Sequence, residues 1–182
     1  SVLKDYSSDL KGSFQKKNIL GVVKSISVLK GFEISDNNIK KGLLNVAKNT
    51  GLKGRWQIIN NSPKTILDVG HNAEAFNLNI KEIKKISYNK LRIVIGFVEG
   101  KDFKKILKLL PKDAFFYFCQ PKINRALDVN KVFNYSKEIG LNGKKFLNVN
   151  SAYESCLNES ENEDLVFVCG SNFVISEIID KK

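Results

Sequence analysis

The chain has 182 residues, 42% hydrophobic and 27% charged, ordinary globular usage and enough length for a packed core. One histidine and three cysteines (Cys119, Cys156 and Cys169), with no C-x-x-C pair, argue against a zinc site, and no apolar run approaches the roughly 20 residues of a membrane helix. The net charge of +11 attracts polyanions in principle, but the lysines are scattered in pairs such as Lys16-Lys17, Lys84-Lys85 and Lys144-Lys145, the pattern of a solvated surface rather than a nucleic-acid patch.

An odd cysteine count fits a reducing cytoplasm, and Cys119 and Cys169 end apolar runs, as core residues do. The chain begins at Ser1 and contains no Met; its first residues read as neither a leader nor a natural start, so a piece of a longer protein is expected.

Gln15 to Leu29 has helical spacing, with Ile19, Val22, Val23, Ile26 and Leu29 on one face. Ser35 or Asp36 can cap a second helix whose apolar face includes Ile39, Leu43, Leu44 and Ala47. Asn49 to Gly54 breaks the pattern, which places a domain boundary there, between 1–50 and 51–182. Strand and helix then alternate. Strands are expected at Trp56–Asn60, Thr65–Val69, Leu91–Ile95, Phe115–Phe118, Lys145–Val149 and Leu165–Cys169. Helices are expected at Ala73–Ile86, Asp102–Leu110, Asp128–Ile139, Ala152–Asn158 and Phe173–Ile179. This is the pattern of an α/β fold with a mostly parallel sheet covered by helices on both faces, in which ligands bind beyond the carboxyl ends of the strands.

Three strand ends carry chemistry. In Asp68-Val69-Gly70-His71-Asn72, Asp68 can accept from a ribose or a cation, His71 can donate to phosphate or carboxylate, and Asn72 offers a donor and an acceptor; the alternative is a helix cap. In Cys169-Gly170-Ser171-Asn172, Gly170 allows close approach and Ser171 with helix amides can hold an anion, or simply cap a turn. In Gly96 to Asp102 the glycines are too weakly spaced for a phosphate cradle, and Asp102 reads as an N-cap. Gln15 and Asn18 share one face at a helix start and could meet a base edge, and Arg55 could clamp phosphate. No G-x-x-x-x-G-K-[ST] loop and no G-x-S-x-G elbow occurs.

In chain order, these pieces resemble the folylpolyglutamate synthase/dihydrofolate synthase family of the Mur ligase superfamily. Gly12-Ser13-Phe14-Gln15-Lys16-Lys17-Asn18 is similar to that family's Gly-x-x-Gln-x-x-Asn helix start, and Gly54-Arg55-Trp56 to its Gly-Arg-aromatic strand. Asp68-Val69-Gly70-His71-Asn72 is similar to its Asp-x-Ala-His-Asn signature, with Gly70 in place of Ala; Gly96 with Lys101-Asp102, and Gly170-Ser171, match its later strand ends. Lys53 stands where a Pro often precedes Gly-Arg.

The resemblance implies an ATP-dependent ligase: ATP converts a folate-type carboxylate to an acyl phosphate, which the amino group of glutamate attacks. It implies that 1–50 are the helical end of an N-terminal ATPase domain holding the phosphate loop and the Mg2+ ligands, and that 51–182 are the C-terminal glutamate ligase domain. Gln15 and Asn18 would face adenine, Arg55 the phosphates and Asp68 the ribose. His71 would contact the phosphate region or orient the reactants; Asn72, Ser171 and Arg125 would lie on the glutamate side. A cytoplasmic monomer without nucleic-acid or membrane partners is expected. Two other readings stand beside it: the C-terminal domain of a ligase acting on a cell-wall peptide, and a non-catalytic basic module binding nucleotide or nucleic acid with a steep salt dependence.

Overall fold

The continuous apolar runs form the centre of a six-stranded sheet in the computed structural model, which describes residues 6–179. Its strands are β1 (Gln57–Asn61), β2 (Lys64–Leu67), β3 (Leu91–Ile95), β4 (Phe115–Cys119), β5 (Asn142–Phe146) and β6 (Leu165–Cys169), in the order β1-β2-β6-β3-β4-β5. From β2 to β5 every neighbouring pair is parallel. Two residues separate β1 from β2, room only for a hairpin, so β1 makes the sheet mixed. All five residues of β3 and of β6 are buried, as strands covered on both faces must be.

Register and side-chain alternation set the two faces. Leu67, Val168, Val94 and Tyr117 lie in one row across β2, β6, β3 and β4, and the next row is Ile66, Phe167, Ile93 and Phe116. The first row packs under α7 (Val149–Asn158) and α8 (Asn172–Ile179), through Val149, Ala152, Cys156, Val174, Ile175 and Ile178. The opposite face carries α6 (Val129–Glu138), whose Phe133 meets the ring of Phe118. On that side α6 packs on α5 (Phe103–Leu109) and α5 on α4 (Ala73–Ile83).

The chain divides into two units, Ser1–Gln57 and Ile58–Lys182. The first contains α1 (Gln15–Val28), α2 (Asp36–Leu44) and α3 (Val46–Thr50). Ser35 caps α2 by accepting the Asn38 N–H at 3.2 Å. The single helix expected through Ala47 is broken at Asn45, because the Asp9 carboxylate accepts the N–H groups of Val46 and Ala47 (3.1 and 2.9 Å) and starts a new helix.

The last part of the sheet also differs from expectation. The strand anticipated at Lys145–Val149 lies at Asn142–Phe146, and α7 begins at Val149, capped by Asn148. Gly143 fixes that register: a Cβ there would lie 2.2 Å from the Phe116 carbonyl oxygen, so the strands meet where only glycine fits. Val149 is then free to enter the core from a helix. No helix among the described residues is long and apolar enough to cross a membrane.

Candidate functional site

The order of the strands creates a crevice. After β2 and β3 the chain passes to the α4–α6 face; after β6 it passes to the α7–α8 face. At the carboxyl end of β6, between β2 and β3, the connections therefore diverge, which is where parallel sheets bind ligands. Asp68, His71, Asn72, Ser171 and Gly96 all come from these three neighbouring strand ends.

The turn after β2 is built around Asp68, which is 3% exposed. Its N–H donates to the Val168 carbonyl (3.0 Å), extending the pairing with β6 by one residue. Its Oδ1 accepts the Gly70 N–H at 2.8 Å and the Asn79 amide at 2.9 Å. A Cβ on Gly70 would come within 2.8 Å of that same oxygen, which accounts for glycine at this position.

His71 and Asn72 are exposed at the tip of the turn. Asn72 Oδ1 accepts the Ala75 N–H at 2.8 Å and so caps α4. His71 Nδ1 lies 3.2 Å from the Val69 carbonyl oxygen and, as the donor of that bond, ties the ring to the turn.

Ser171 is 2% exposed and begins α8, its Oγ accepting the Val174 N–H at 3.2 Å. Before it, Gly170 has φ +106, and a Cβ there would lie 2.2 Å from the Gly96 carbonyl oxygen. Gly96 in turn leaves no space against the Cys119 carbonyl, 2.6 Å from its own virtual Cβ. Two glycines thus let the ends of β6, β3 and β4 close to backbone contact.

Arg125 is carried to the same edge. The Glu99 N–H donates to the Arg125 carbonyl (2.9 Å), the Leu127 N–H to that of Phe97 (3.0 Å), and Val98 bridges Ala126, so the loops after β3 and β4 are zipped together. The Arg125 guanidinium lies over the ring of Phe173, in the first turn of α8, at 5.1 Å. Lys101 is exposed, and Asp102 caps α5 through the Lys105 N–H (3.0 Å).

Gln15, Asn18 and Arg55 belong to the first unit. Gln15 is buried and its Oε1 accepts the Asn18 amide at 2.7 Å, so the two act as one hydrogen-bonded pair with Asn18 outermost. Arg55 is exposed beside buried Trp56, whose indole meets Phe14 edge-on at 6.4 Å.

The sequence reading passed over Asn79, a buried amide two turns into α4 that holds Asp68. Its signal was a polar residue on the helix's apolar stripe, in line with Phe76 and Ile83. Among the described residues no group of three or more His, Cys, Asp and Glu stands close enough to hold a metal ion.

The family model described as "Mur ligase, glutamate ligase domain" matches residues 54–172. The chain belongs to that family. The chain is also similar to two relatives named dihydrofolate synthase/folylpolyglutamate synthase. That of Escherichia coli strain K12 is 30% identical over 152 residues, 82% of this chain and 34% of the relative. That of Buchnera aphidicola subsp. Schizaphis graminum is 29% identical over 155 residues, 84% of this chain and 35% of the relative. The chain therefore spans about a third of the length of these two relatives. The solved structure of E. coli FolC in complex with DHPP and ADP superimposes with a TM-score of 0.83 at 25% identity, covering 98% of this chain and 41% of that one. The mostly parallel α/β sheet of this ligase domain is thus the shared architecture.

Proposed function

We propose that this chain is the C-terminal part of a cytoplasmic, monomeric, ATP-dependent ligase that adds L-glutamate to a folate-type carboxylate. The observation that carries the reading is the likeness over 98% of the chain to a protein bound to DHPP and ADP, together with 30% identity to a dihydrofolate synthase/folylpolyglutamate synthase. The exposed apolar side chains of the first unit support it. Leu20, Val22, Val28 and Leu29 of the α1 segment and nearby Phe32 are uncovered, as expected of helices that end a larger ATPase domain. The three cysteines are free and buried, which suits the cytoplasm.

In the reaction, the carboxylate takes the γ-phosphoryl group of ATP and ADP leaves; the neutral amine of glutamate then forms a C–N bond to the carbonyl carbon, the C–O bond to phosphate breaks, phosphate leaves with that electron pair, and the nitrogen gives up one proton to solvent or the departing phosphate. Positioning and charge stabilisation are the protein's main contributions. Asp68, fixed on Oδ1, meets the ribose; His71 contacts the phosphate region and orients the reactants. Ser171, with Asn72 and Arg125, faces the incoming glutamate, Arg125 as a cation for its carboxylate. Asn18, backed by Gln15, serves the adenine, and Arg55 the phosphates. Among the described residues no group of three or more His, Cys, Asp and Glu could hold a metal ion, and in this reading the Mg2+ ligands belong to the ATPase domain.

The test is a ligation assay on the longer protein that carries this segment, with ATP, L-glutamate and either dihydropteroate or a reduced folate. Expected products are ADP, phosphate and the glutamylated pteroate or folate. The 182-residue chain alone is expected not to hydrolyse ATP. Absence of a glutamylated product from the longer protein, or folate-dependent ATP hydrolysis by this chain alone, overturns the reading.

A further inference from the structure

The sheet has a second point of divergence. After β4 the chain passes to the α6 face, and after β5 to the α7 face, so a crevice opens beyond the carboxyl ends of these two strands as well. It holds an open cavity of about 750 Å³, lined among others by Gln120, Lys122, Leu147, Asn148, Asn150 and Glu177. Nothing in the proposed reaction uses it.

Its walls are pre-set as donors. Gln120 Oε1 accepts the Val129 N–H at 3.1 Å, and Asn148 Oδ1 accepts the Ser151 N–H at 2.7 Å. With their oxygens committed to capping α6 and α7, both carboxamides keep their NH2 groups, which have no protein partner among the described residues. Lys122 adds an exposed ammonium. The acid on the wall, Glu177, already accepts the Lys122 backbone N–H on Oε1 at 2.6 Å. Donors therefore exceed acceptors. Leu147, 80% exposed, and Ile123 supply an apolar strip beside them. A ligand with carboxylates and amides strung on short methylene segments satisfies all of these groups together.

The cavity lies near the crevice at Ser171. β4 is two strands from β6, roughly 10 Å at ordinary strand spacing. Along α8, Glu177 is six residues beyond Ser171, about 9 Å of helix rise.

We propose that this cleft is a binding site for a short glutamyl chain, holding carboxylates of the substrate or product tail beside the ligation site. This rests on the proposed ligase reading for the identity of the tail, but its test needs no turnover. The isotope-labelled 182-residue chain is titrated with side-chain-linked triglutamate and, separately, with glutamate, while its amide NMR signals are followed. Expected are shifts in the side-chain NH2 signals of Gln120 and Asn148 and in the backbone of 120–124 and 147–150, with triglutamate binding more tightly than glutamate. Lys122→Glu, on an exposed residue, should weaken binding roughly tenfold or more by placing a second acid beside Glu177.

Lys131→Glu makes the same charge change on exposed α6 and should leave affinity unaltered. Equal losses in the two variants, shifts spread over the lysine-rich surface, equal affinity for glutamate and triglutamate, or no binding each overturn the proposal. A ligation failure in the longer protein with cleft binding intact instead removes only the tail's role in catalysis.

Discussion

The Asn79 amide donates to Asp68 Oδ1 across eleven residues of chain, at 2.9 Å and in a fully packed interior. This bond joins the α4 helix to the turn that presents His71, and with the Gly70 N–H on the same oxygen it sets which way the turn leaves β2.

Replacing Asn79 by Leu keeps the branched shape but leaves Asp68 short of a donor in a buried site. A loss of about 1–3 kcal/mol is expected in urea unfolding. The chain has one histidine, so the imidazole NMR signals report the turn directly. They should shift in Asn79→Leu and be restored by Asn79→Gln only if the longer amide reaches the same oxygen. Unchanged His71 signals in Asn79→Leu would show that the bond does not position the turn.

Gly170 and Gly100 make a paired test of close approach. Both have positive φ, +106 and +79, but only Gly170 faces backbone, with the Gly96 carbonyl at 2.2 Å from a virtual Cβ; Gly100 faces open space. Gly100→Ala should cost about 1–2 kcal/mol, the left-handed penalty alone. Gly170→Ala adds a clash between β6 and β3 and should cost several kcal/mol or abolish folding. Similar thermal midpoints for the two variants would contradict the packing described for these strand ends.

At the opposite end of the sheet, Arg92 Nε bonds Asp164 Oδ2 at 2.7 Å and its Nη1 donates to Tyr117 Oη at 2.9 Å. Burial pushes the Asp164 carboxyl up, but the Arg92 bond and backbone N–H donors outweigh it and hold its pKa below the usual carboxylate value. A lowered folded-state pKa means that stability is fully present above the unfolded pKa, near 3.8, and is lost as pH falls through the folded value. Unfolding midpoints should therefore drop in acid below about pH 4. Asp164→Asn should remove Asp164's share of that dependence and cost about 3–5 kcal/mol at neutral pH, since Arg92 is left buried without its counter-charge.

Burial also raises the thiols. Cys156 is pushed up to about 12, and Cys119 and Cys169 rise well above the ordinary thiol value for the same reason. At neutral pH all three are protonated and enclosed, so a disulfide reagent such as DTNB should label none of them in the folded chain within minutes and all three in denaturant. Rapid labelling of the native protein would place at least one thiol at an opening.

How much of this was legible in the sequence depends on where each element's information resides. β3 and β6 announce themselves by unbroken apolar runs, because both faces are buried and every position must be apolar. β5 does not: Asn142–Phe146 is an edge strand, its polar residues face water, and its register depends on Gly143 meeting the Phe116 carbonyl, a contact no local pattern encodes. The break at Asn45 depends likewise on Asp9, far away in sequence. The turn at Asp68–Asn72 was legible because its residues are consecutive, whereas Asn79 and the cleft between β4 and β5 required the fold.

His71 stands at the exposed tip of the turn after β2. Among the described residues it caps no helix and bonds only the Val69 carbonyl two residues away. Truncation to Ala should leave the stability of this chain within about 0.5 kcal/mol. In the longer protein the same change removes the imidazole at the strand-end crevice and should lower kcat for ligation by roughly 10²-fold or more, with a smaller effect on KM for glutamate, because an orienting group acts mainly in the transition state. His71→Gln keeps a polar group at the position and should recover part of the loss. Wild-type turnover in His71→Ala would remove this histidine from the site, and an equal fall in stability would assign it to the fold instead.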